Sequence, residues 1–494
     1  MDSQVIIGLS MLIVMIGAIF IGFPISFTLL FLALAFGYLG LGDTVFSLAY
    51  FQTIGLMKEE LFAAVPLFIF MGYLTEQAGL MERLFTAFRN LLAPVRGALF
   101  AVVILTATVF AMATGIVGAA VTVLGIMASP IMIKTGYDAK LAAGCITAGG
   151  TLGILIPPSV MLIVMGPVIG VSVADLYAAA FGPGFVLAGI YLGYLMVRSF
   201  INPRLGPPVP KEERVHSIAT IAVELVIGVL PLILLIGAVL GSMMAGLATP
   251  TEASAIGAVG AALLAMVYRR FTFGGLKRAV LSTTATSSMV LLLAVTSNIF
   301  GAVFSRLGAA NWITESMLAL PFPPAVMLIL VLVLVFLLGW PFEWPAIILV
   351  FLPIFYPVVD QLKVPMAEAF GVPVEYVMIW FGALVAVTLQ TAYLSPPVAM
   401  SAYYLRQVVR EWSLGTIYKG MFEFMLLQCV AITALMMFPS IATYLPAHLH
   451  REMASTRVEE VDQGHSRLEE EYKSEPEGPE EKAEGEERKK DSGK

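Results

Sequence analysis

Pro157 and Pro158 stand side by side inside an apolar run, residues 140–168, at a depth where a membrane helix should be continuous. Proline has no N–H and a fixed φ, so the pair removes two ladder donors and ends the helix. Thr147, Gly149, Gly150, Thr151, Gly153 and Ser159 surround the break. Inside hydrocarbon, freed carbonyls are tolerated only against protein or a water-filled cavity. The break therefore points to a place where carbonyls and hydroxyls meet an ion. A second copy follows at Gln390-Thr391-Ala392-Tyr393-Leu394-Ser395-Pro396-Pro397-Val398. Aligning the proline pairs sets Gly153 opposite Ala392. Two broken helices in corresponding positions of two halves are the sequence mark of a secondary transporter's binding site.

Composition supplies the membrane this reading needs. Of 494 residues, 59% are hydrophobic and 13% charged, against roughly 25% charged in a soluble domain. The mean hydropathy is +0.91. Apolar cores fall near 4–34, 36–57, 61–80, 98–133, 140–168, 172–198, 217–245, 250–268, 279–305, 322–360, 375–405 and 416–445. Most reach the ~20 residues a span needs. The formal charge of −6 reflects an acidic tail. Cys145 and Cys429 lie in apolar segments, so they imply no disulfide framework. His216, His448, His450 and His465 lie outside the strongly apolar segments, which argues against a buried His-ligated metal site. The first run lacks a basic leader and is too long for a signal-peptide core, so it reads as a retained span. Lys and Arg are absent before Lys58, which favours an extracytoplasmic N-terminus.

Several runs read as re-entrant hairpins or broken helices. Leu61–Asn90 fits either a hairpin or an ordinary span with a glycine cap at Gly79. Residues 106–125 carry Thr106, Thr108, Thr114, Gly115, Gly118 and Thr122, which suits ion lining or close helix packing. Residues 282–308 resemble the first hairpin candidate, with Thr296-Ser297-Asn298 as a tip whose donors suit a carboxylate. The alternative is hydroxyls bonded back to their own helix. Glu343, within Gly339-Trp340-Pro341-Phe342-Glu343-Trp344-Pro345, is an acid in apolar sequence, read as functional or as interfacial. In Thr249-Pro250-Thr251-Glu252, a helix cap, a first-turn proline and a dipole-favoured acid suffice without chemistry.

Spacing supports a duplication. Gly79 precedes Pro157 by 78 positions and Gly308 precedes Pro396 by 88, with 363–371 as a polar insertion. The linker 198–216 and the cluster Arg269, Arg270, Lys277, Arg278 are separated by two apolar segments, so both lie on the cytoplasmic side. Arg83, Arg89 and Arg96 fit no simple alternation of spans, which re-entrant segments would explain.

Taken in order, Pro66-Leu67-Phe68-Ile69 with Gly72, Ile156-Pro157-Pro158-Ser159, Thr249-Pro250-Thr251-Glu252-Ala253, Gly339–Ala346 and Ser395-Pro396-Pro397 resemble the large membrane subunit of tripartite ATP-independent periplasmic (TRAP) transporters, the DctM-like family. The resemblance spans about residues 1–446. It implies an all-α polytopic membrane protein of the bacterial inner membrane, with two inverted repeats, re-entrant hairpins and broken helices. It implies sodium-coupled, elevator-type import of a small organic anion, with a carboxylate expected. A periplasmic binding protein would deliver the substrate and a small four-helix membrane subunit would brace the scaffold. One sodium site would fall on Thr114, Gly118, Gly153 and Pro157, the other on Gly339, Ala392, Ser395 and Val398. Substrate would contact Thr296, Ser297 and Asn298. The expected division is 1–60 and 198–278 as scaffold (with the linker), 61–197 and 279–415 as transport-domain halves, 416–447 as a C-terminal helix, and 448–494 as a charged disordered tail. The chain departs from the family pattern at Ala113–Gly118, where relatives carry a Ser-Gly-Ser-Ser run. It departs also at Ala392, where Gly is usual, and at Glu343-Trp344-Pro345, where Asp-Pro is typical.

Two other classes compete. A binding-protein-independent carboxylate transporter using Na⁺ or H⁺ would share the broken helices. An intramembrane enzyme would need a catalytic set, and no His-Glu-x-x-His is present; no Gly-x-x-x-x-Gly-Lys-Ser/Thr loop is present for ATP-driven transport.

Overall fold

The computed structural model describes residues 2–209, 214, 217–396 and 399–452. They are helical and contain no strand. Contacts divide the chain into Met1–Pro446, which forms the membrane body, and Ala447–Lys494, of which 447–452 are described and helical. The rest of the charged tail lies outside the described residues. Among the described residues, nine helices are individually long and apolar enough to cross a bilayer, or up to eleven if each of two bent pairs is one span.

The first half begins with α1 (Ser3–Ile21), α2 (Ile25–Leu41), α3 (Thr44–Met57) and α4 (Leu61–Gln77). Gly79, at φ 70°, then turns the chain by 56° into α5 (Leu80–Leu92). This is a bend, not a hairpin, so Leu61–Asn90 takes the glycine-capped form. α5 buries Leu80, Met81, Leu84 and Phe85 and exposes Glu82, Arg83 and Thr86. That one-sided pattern suits a helix lying at a membrane surface.

The true hairpin is the next pair, α6 (Ala98–Thr114) and α7 (Val117–Lys134), and α8 (Ala139–Leu155) proves it. Cys145 Sγ sits 3.6 Å from the Phe100 carbonyl, and a Cβ on Gly149 would meet Ala107 at 3.2 Å. Farther along, Gly153 approaches Ala111, so α6 runs with α8. Gly150 instead approaches Val121 while Gly153 approaches Ile116, so α7 runs against α8. The chain therefore reverses at 114–116. Its two ends rejoin where the Leu99 N–H donates to the Tyr137 hydroxyl at 3.1 Å. The linker closes the same place: Gly97 N–H donates to Gly206 O (2.8 Å) and Asp138 N–H to Leu205 O (3.0 Å). Arg83, Arg89, Arg96, Lys134, Lys140 and Arg204 thus share one face with the linker. The misfit of the early arginines disappears, because a re-entrant hairpin returns to the face it left. By the positive-inside rule that face is cytoplasmic.

After the proline pair come α9 (Val160–Ile169) and α10 (Val173–Ile201), then α11 (Ile218–Met244) and α12 (Pro250–Val267). α12 starts with a complete capping box, Thr249 bonded to Glu252 in both directions. The second half opens with α13 (Phe273–Arg306), a single helix of 34 residues. Gly308, at φ 76°, starts α14 (Ala309–Leu318) as Gly79 starts α5. The proposed tip Thr296-Ser297-Asn298 is therefore corrected: it lies mid-helix. Hydroxyls do not break a helix that keeps its backbone ladder: Thr296 bonds back to Leu292 and Leu293, while Ser297 Oγ stays buried without a partner among the described residues.

The second hairpin is α15 (Pro324–Leu338), returning through α16 (Trp344–Ala346), a π-turn at Ile347–Phe351 and α17 (Leu352–Gln361). Residues 363–371 form a short helix, α18 (Lys363–Phe370), capped by Gly371. α19 (Val377–Leu394), α20 (Met400–Val408) and α21 (Leu414–Met437) complete the body. α21 measures its thickness, about 36 Å for 24 residues. Its start meets Lys140 on the cytoplasmic face, where a Cβ on Gly420 would lie 2.0 Å from the Lys140 oxygen. Near its far end, Leu435 O accepts from Trp380 Nε1 (3.0 Å), and the Trp380 ring packs at a tilt against Phe370 (4.9 Å). Ala325 and Phe370 line one cavity, so the second hairpin opens on that far face. The two hairpins enter from opposite sides, which makes the repeats inverted.

By packing, α1–α5 and α11–α14 form an outer group, and α6–α10 with α15–α21 an inner one. The repeats also cross. α20 packs on α7, and α9 packs on the outgoing limb of the second hairpin. Side-specific labelling of single cysteines tests this topology. Lys140→Cys and Arg204→Cys should react from the cytoplasm and Glu375→Cys from the other side; labelling of all three from one side would refute the inversion.

Candidate functional site

At the first break, Ile156 N–H still bonds the Leu152 carbonyl at 3.0 Å. The next two ladder donors would serve Gly153 O and Ile154 O, but residues 157 and 158 are prolines. Ser159 Oγ takes over Ile154 O, and Tyr177 OH anchors the Ser159 carbonyl at 3.2 Å. Gly153 O is left without its ladder donor, facing the tip of the first hairpin. A Cβ on Gly115 would lie 3.9 Å from it and 3.5 Å from Pro158 O. A Cβ on Gly153 would lie 3.8 Å from Ile116 N. A methyl group is tolerable there, whereas anything larger fills the space between tip and break. Gly115 itself has φ 60°, a conformation that favours glycine.

Thr114, Gly153 and Pro157 are thus brought to one place. The Thr114 hydroxyl is turned back on Phe110 O at 3.3 Å, so the backbone of this tip carries the open valences. Its carbonyl is braced by α4, where a Cβ on Gly72 would come within 2.7 Å of Thr114 O. Gly118 has a different neighbour. The Tyr404 ring from α20 lies on it, 3.1 Å from where its Cβ would be.

The second break repeats the pattern. Ser395 N–H bonds Thr391 O at 2.9 Å, and Pro396 and Pro397 deprive Ala392 O and Tyr393 O of ladder donors. Gly339, at the second hairpin tip, meets Ala392 so closely that a Cβ would lie 2.8 Å from the Ala392 Cβ. Ser395 Oγ is buried with no hydrogen-bond partner among the described residues. A buried hydroxyl in that state is costly unless something else completes it. Val398 lies outside the described residues.

Charge at the site comes from backbone, not from basic side chains. Neither hairpin nor broken helix carries Lys or Arg through 98–133, 141–197, 322–362 or 377–405. Four helices start here, at Val117, Val160, Trp344 and Met400, and each presents a positive dipole end. Four end here, at Thr114, Leu155, Leu338 and Leu394, and present carbonyls. The one acid at the tips, Glu343, is exposed and lies near Tyr393 and Tyr404. Tyr404 in turn lies near Tyr73, whose hydroxyl is 3.3 Å from Thr286 Oγ1 on α13. Sequence reasoning passed over Tyr393, Tyr404 and Ile116; the left-handed glycine at 115, inside an apolar run, was the signal that marks the tip.

Thr296, Ser297 and Asn298 sit elsewhere. Asn298 Nδ2 donates to Gln52 O of α3 at 3.1 Å. Ser297 and Asn298 line a cavity of about 340 Å³ with Gln52, Asn311, Val350 and Pro357. It lies between the outer helices and the outgoing limb of the second hairpin, beyond the tip.

The family model for the DctM component of tripartite ATP-independent periplasmic transporters matches residues 12–441. The chain belongs to this family. It is similar to the sialic acid TRAP transporter large permease protein SiaM of Vibrio cholerae, 27% identical over 441 residues, covering 87% of this chain and 96% of that protein. The C4-dicarboxylate TRAP transporter large permease protein DctM of Pseudomonas aeruginosa is 28% identical over 391 residues, covering 78% and 84%. A solved structure, the YdaH transporter of Alcanivorax borkumensis, superposes with a TM-score of 0.56 at 19% identity, covering 82% of this chain and 90% of that one. That likeness shows the fold alone. Family and spanning helices together make the chain a multi-pass membrane protein, in bacteria one of the inner membrane, and a transporter component, not an enzyme.

The contact between α4 and the first tip can be tested by packing. Gly72→Ala should lower stability by about 1–3 kcal/mol, as overfilling a packed contact does. Gly237→Ala on α11, with nothing within 4 Å of the new methyl group, should not. Thermal unfolding of the two purified variants compares them, and equal midpoints would separate α4 from the tip.

Proposed function

We propose that this permease imports a small organic anion together with sodium, by moving its inner helices past its outer ones. The observation that carries the proposal is the pair of matching carbonyl clusters, Gly153 against the 114–116 tip and Ala392 with Ser395 against Gly339. Na⁺ takes hard oxygen ligands. Carbonyls and hydroxyls provide them without burying a carboxylate, whose unpaired charge would cost several kcal/mol. The helix N-termini at Val117, Val160, Trp344 and Met400 suit the anion, as broken helices do in other secondary transporters. Sodium then couples to substrate because it stabilises the arrangement of tip and break that the anion needs, and only differential affinity shifts such an equilibrium.

The substrate class rests on charge and on relatives. Proteins similar to this chain are named for sialic acid, C4-dicarboxylates and isethionate, all anions. A carboxylate is the leading choice. In this reading a periplasmic binding protein delivers it and a small four-helix membrane subunit braces the outer helices, which the word tripartite in the family description supports. The exposed apolar faces of α1, α2 and α11 supply surface for the bilayer and that subunit.

A second reading, proton coupling without a binding protein, is favoured by one observation. Glu343 is an exposed carboxylate at a hairpin tip, near Tyr393 and Tyr404.

Uptake into liposomes holding the permease, small subunit and binding protein separates the readings. With sialic acid, succinate or isethionate as cargo, an inward Na⁺ gradient should drive accumulation, and a pH gradient alone should not. Ser395→Ala and Gly153→Leu should each reduce Na⁺-driven uptake by tenfold or more, the effect of losing about 1.4 kcal/mol, with normal membrane insertion. Glu343→Gln should leave the Na⁺ dependence in place. Uptake that follows pH and disappears in Glu343→Gln would establish the second reading instead.

A further inference from the structure

We propose that the cytoplasmic surface carries a binding site for a zwitterionic phospholipid, one with a phosphoethanolamine headgroup. The site is a cavity of about 300 Å³ between α5 and α11, lined by Gly79, Glu82, Arg83, Thr86, Glu224, Ile227 and Arg270. It lies on the basic face, beside Arg269 and Arg270, at the level where headgroups sit.

The charges are arranged for a ligand with both signs. Two arginines and two glutamates face one small space, and no ion pair among the described residues joins any two of them. Arg83 is held open by the Tyr268 ring, 4.6 Å from its guanidinium carbon. Tyr268 is itself tied to α11 through the Ile227 carbonyl at 2.6 Å. Asn90 Nδ2 holds Glu224 at 2.6 Å from the opposite side. The Glu82 carboxylate and the Arg270 guanidinium both lie over Gly79, with Glu82 Oε2 3.2 Å and Arg270 Nε 3.9 Å from where its Cβ would be. A phosphate suits Arg83 and Arg270, and a primary ammonium suits Glu82 and Glu224. A quaternary ammonium offers those carboxylates no N–H, and a glycerol headgroup leaves both without a counter-charge.

The acyl chains have a path. Ile227 lines the headgroup cavity and belongs to an exposed apolar stripe of α11 that runs from Val223 through Leu230 and Leu234. Residues three and four apart lie on one helix face, so the stripe runs from the cavity toward the bilayer centre. An apolar stripe alone would suit a membrane partner equally. A stripe that passes alongside a four-charge pocket on the basic face suits a lipid, whose headgroup and chains need both.

Native mass spectrometry of the purified full chain, gently extracted, reads retained lipid directly. In nanodiscs mixing phosphatidylethanolamine, phosphatidylglycerol and phosphatidylcholine, the protein should retain the ethanolamine lipid over both others. The double change Arg83→Gln/Arg270→Gln should cut that retention about tenfold or more, since each basic residue contributes about a factor of five to lipid attraction. Glu82→Gln/Glu224→Gln should instead shift preference toward phosphatidylglycerol, because only the anion-binding half remains. A purely structural role for these side chains would not reverse the lipid order. Equal retention of ethanolamine and glycerol lipids by the unchanged protein would overturn the proposal, whether or not the variants fold. So would displacement of the lipid by millimolar inorganic phosphate alone, which would make this a free-phosphate site. Loss of the small membrane subunit with unchanged lipid content in the arginine variant would assign the surface to that partner and also overturn it.

Discussion

A carbonyl oxygen inside a membrane protein must be met by something. That constraint shapes this chain more than any single contact. Prolines at 157, 158, 396 and 397 strip donors from two helices in the interior of the body. The fold answers by bringing a hairpin tip to each break. Gly153 meets the tip at Gly115 and Ile116, and Ala392 meets Gly339. In each case a position with little or no side chain allows the approach. What stays open at the two junctions is the Gly153 carbonyl, without its ladder donor, and the Ser395 hydroxyl, without a hydrogen-bond partner among the described residues.

The two sites are not independent units. α20 belongs to the second repeat but packs along α7 of the first, and α9 belongs to the first but packs along the second hairpin. Tyr404 shows the consequence at one residue. It covers Gly118 beside the first tip and lies near Glu343 at the second and Tyr73 on the outer helix α4. One side chain thus stands between both tips and the outer helices. Close glycine contacts knit the inner group together. Gly144 and Gly420 let α8 and α21 touch backbone to backbone.

Inverted topology explains a charge pattern that linear counting could not. Arg83, Arg89 and Arg96 lie on the same side as Arg204 and Arg270, although an apparent span follows them. A hairpin that turns back at 114–116 crosses nothing, so sidedness is preserved through it. The amphipathic α5 then lies along the surface, where its charged face meets α11.

The membrane class, the duplication and the two breaks were legible in the residues, because each depends on local chemistry. Apolar length, paired prolines and left-handed glycines leave marks that need no neighbour to interpret. Hairpin placement was not legible in the same way. Leu61–Asn90 and 282–308 carried the polar, glycine-marked look of hairpins, yet the first is a helix pair bent by 56° at Gly79 and the second lies along the single helix α13, with Gly308 opening the next helix. The residues 296–298 read as a tip because hydroxyls and an amide clustered there, but intrahelical bonding satisfies Thr296 and a distant carbonyl satisfies Asn298. Which carbonyl faces which tip, and that Tyr404 reaches across from the other repeat, depend on contacts between residues hundreds of positions apart. The chain alone determined where its helices must break; only the packed structure decided what stands opposite each break, because pairing is set by the shape of the whole body and not by any stretch of it.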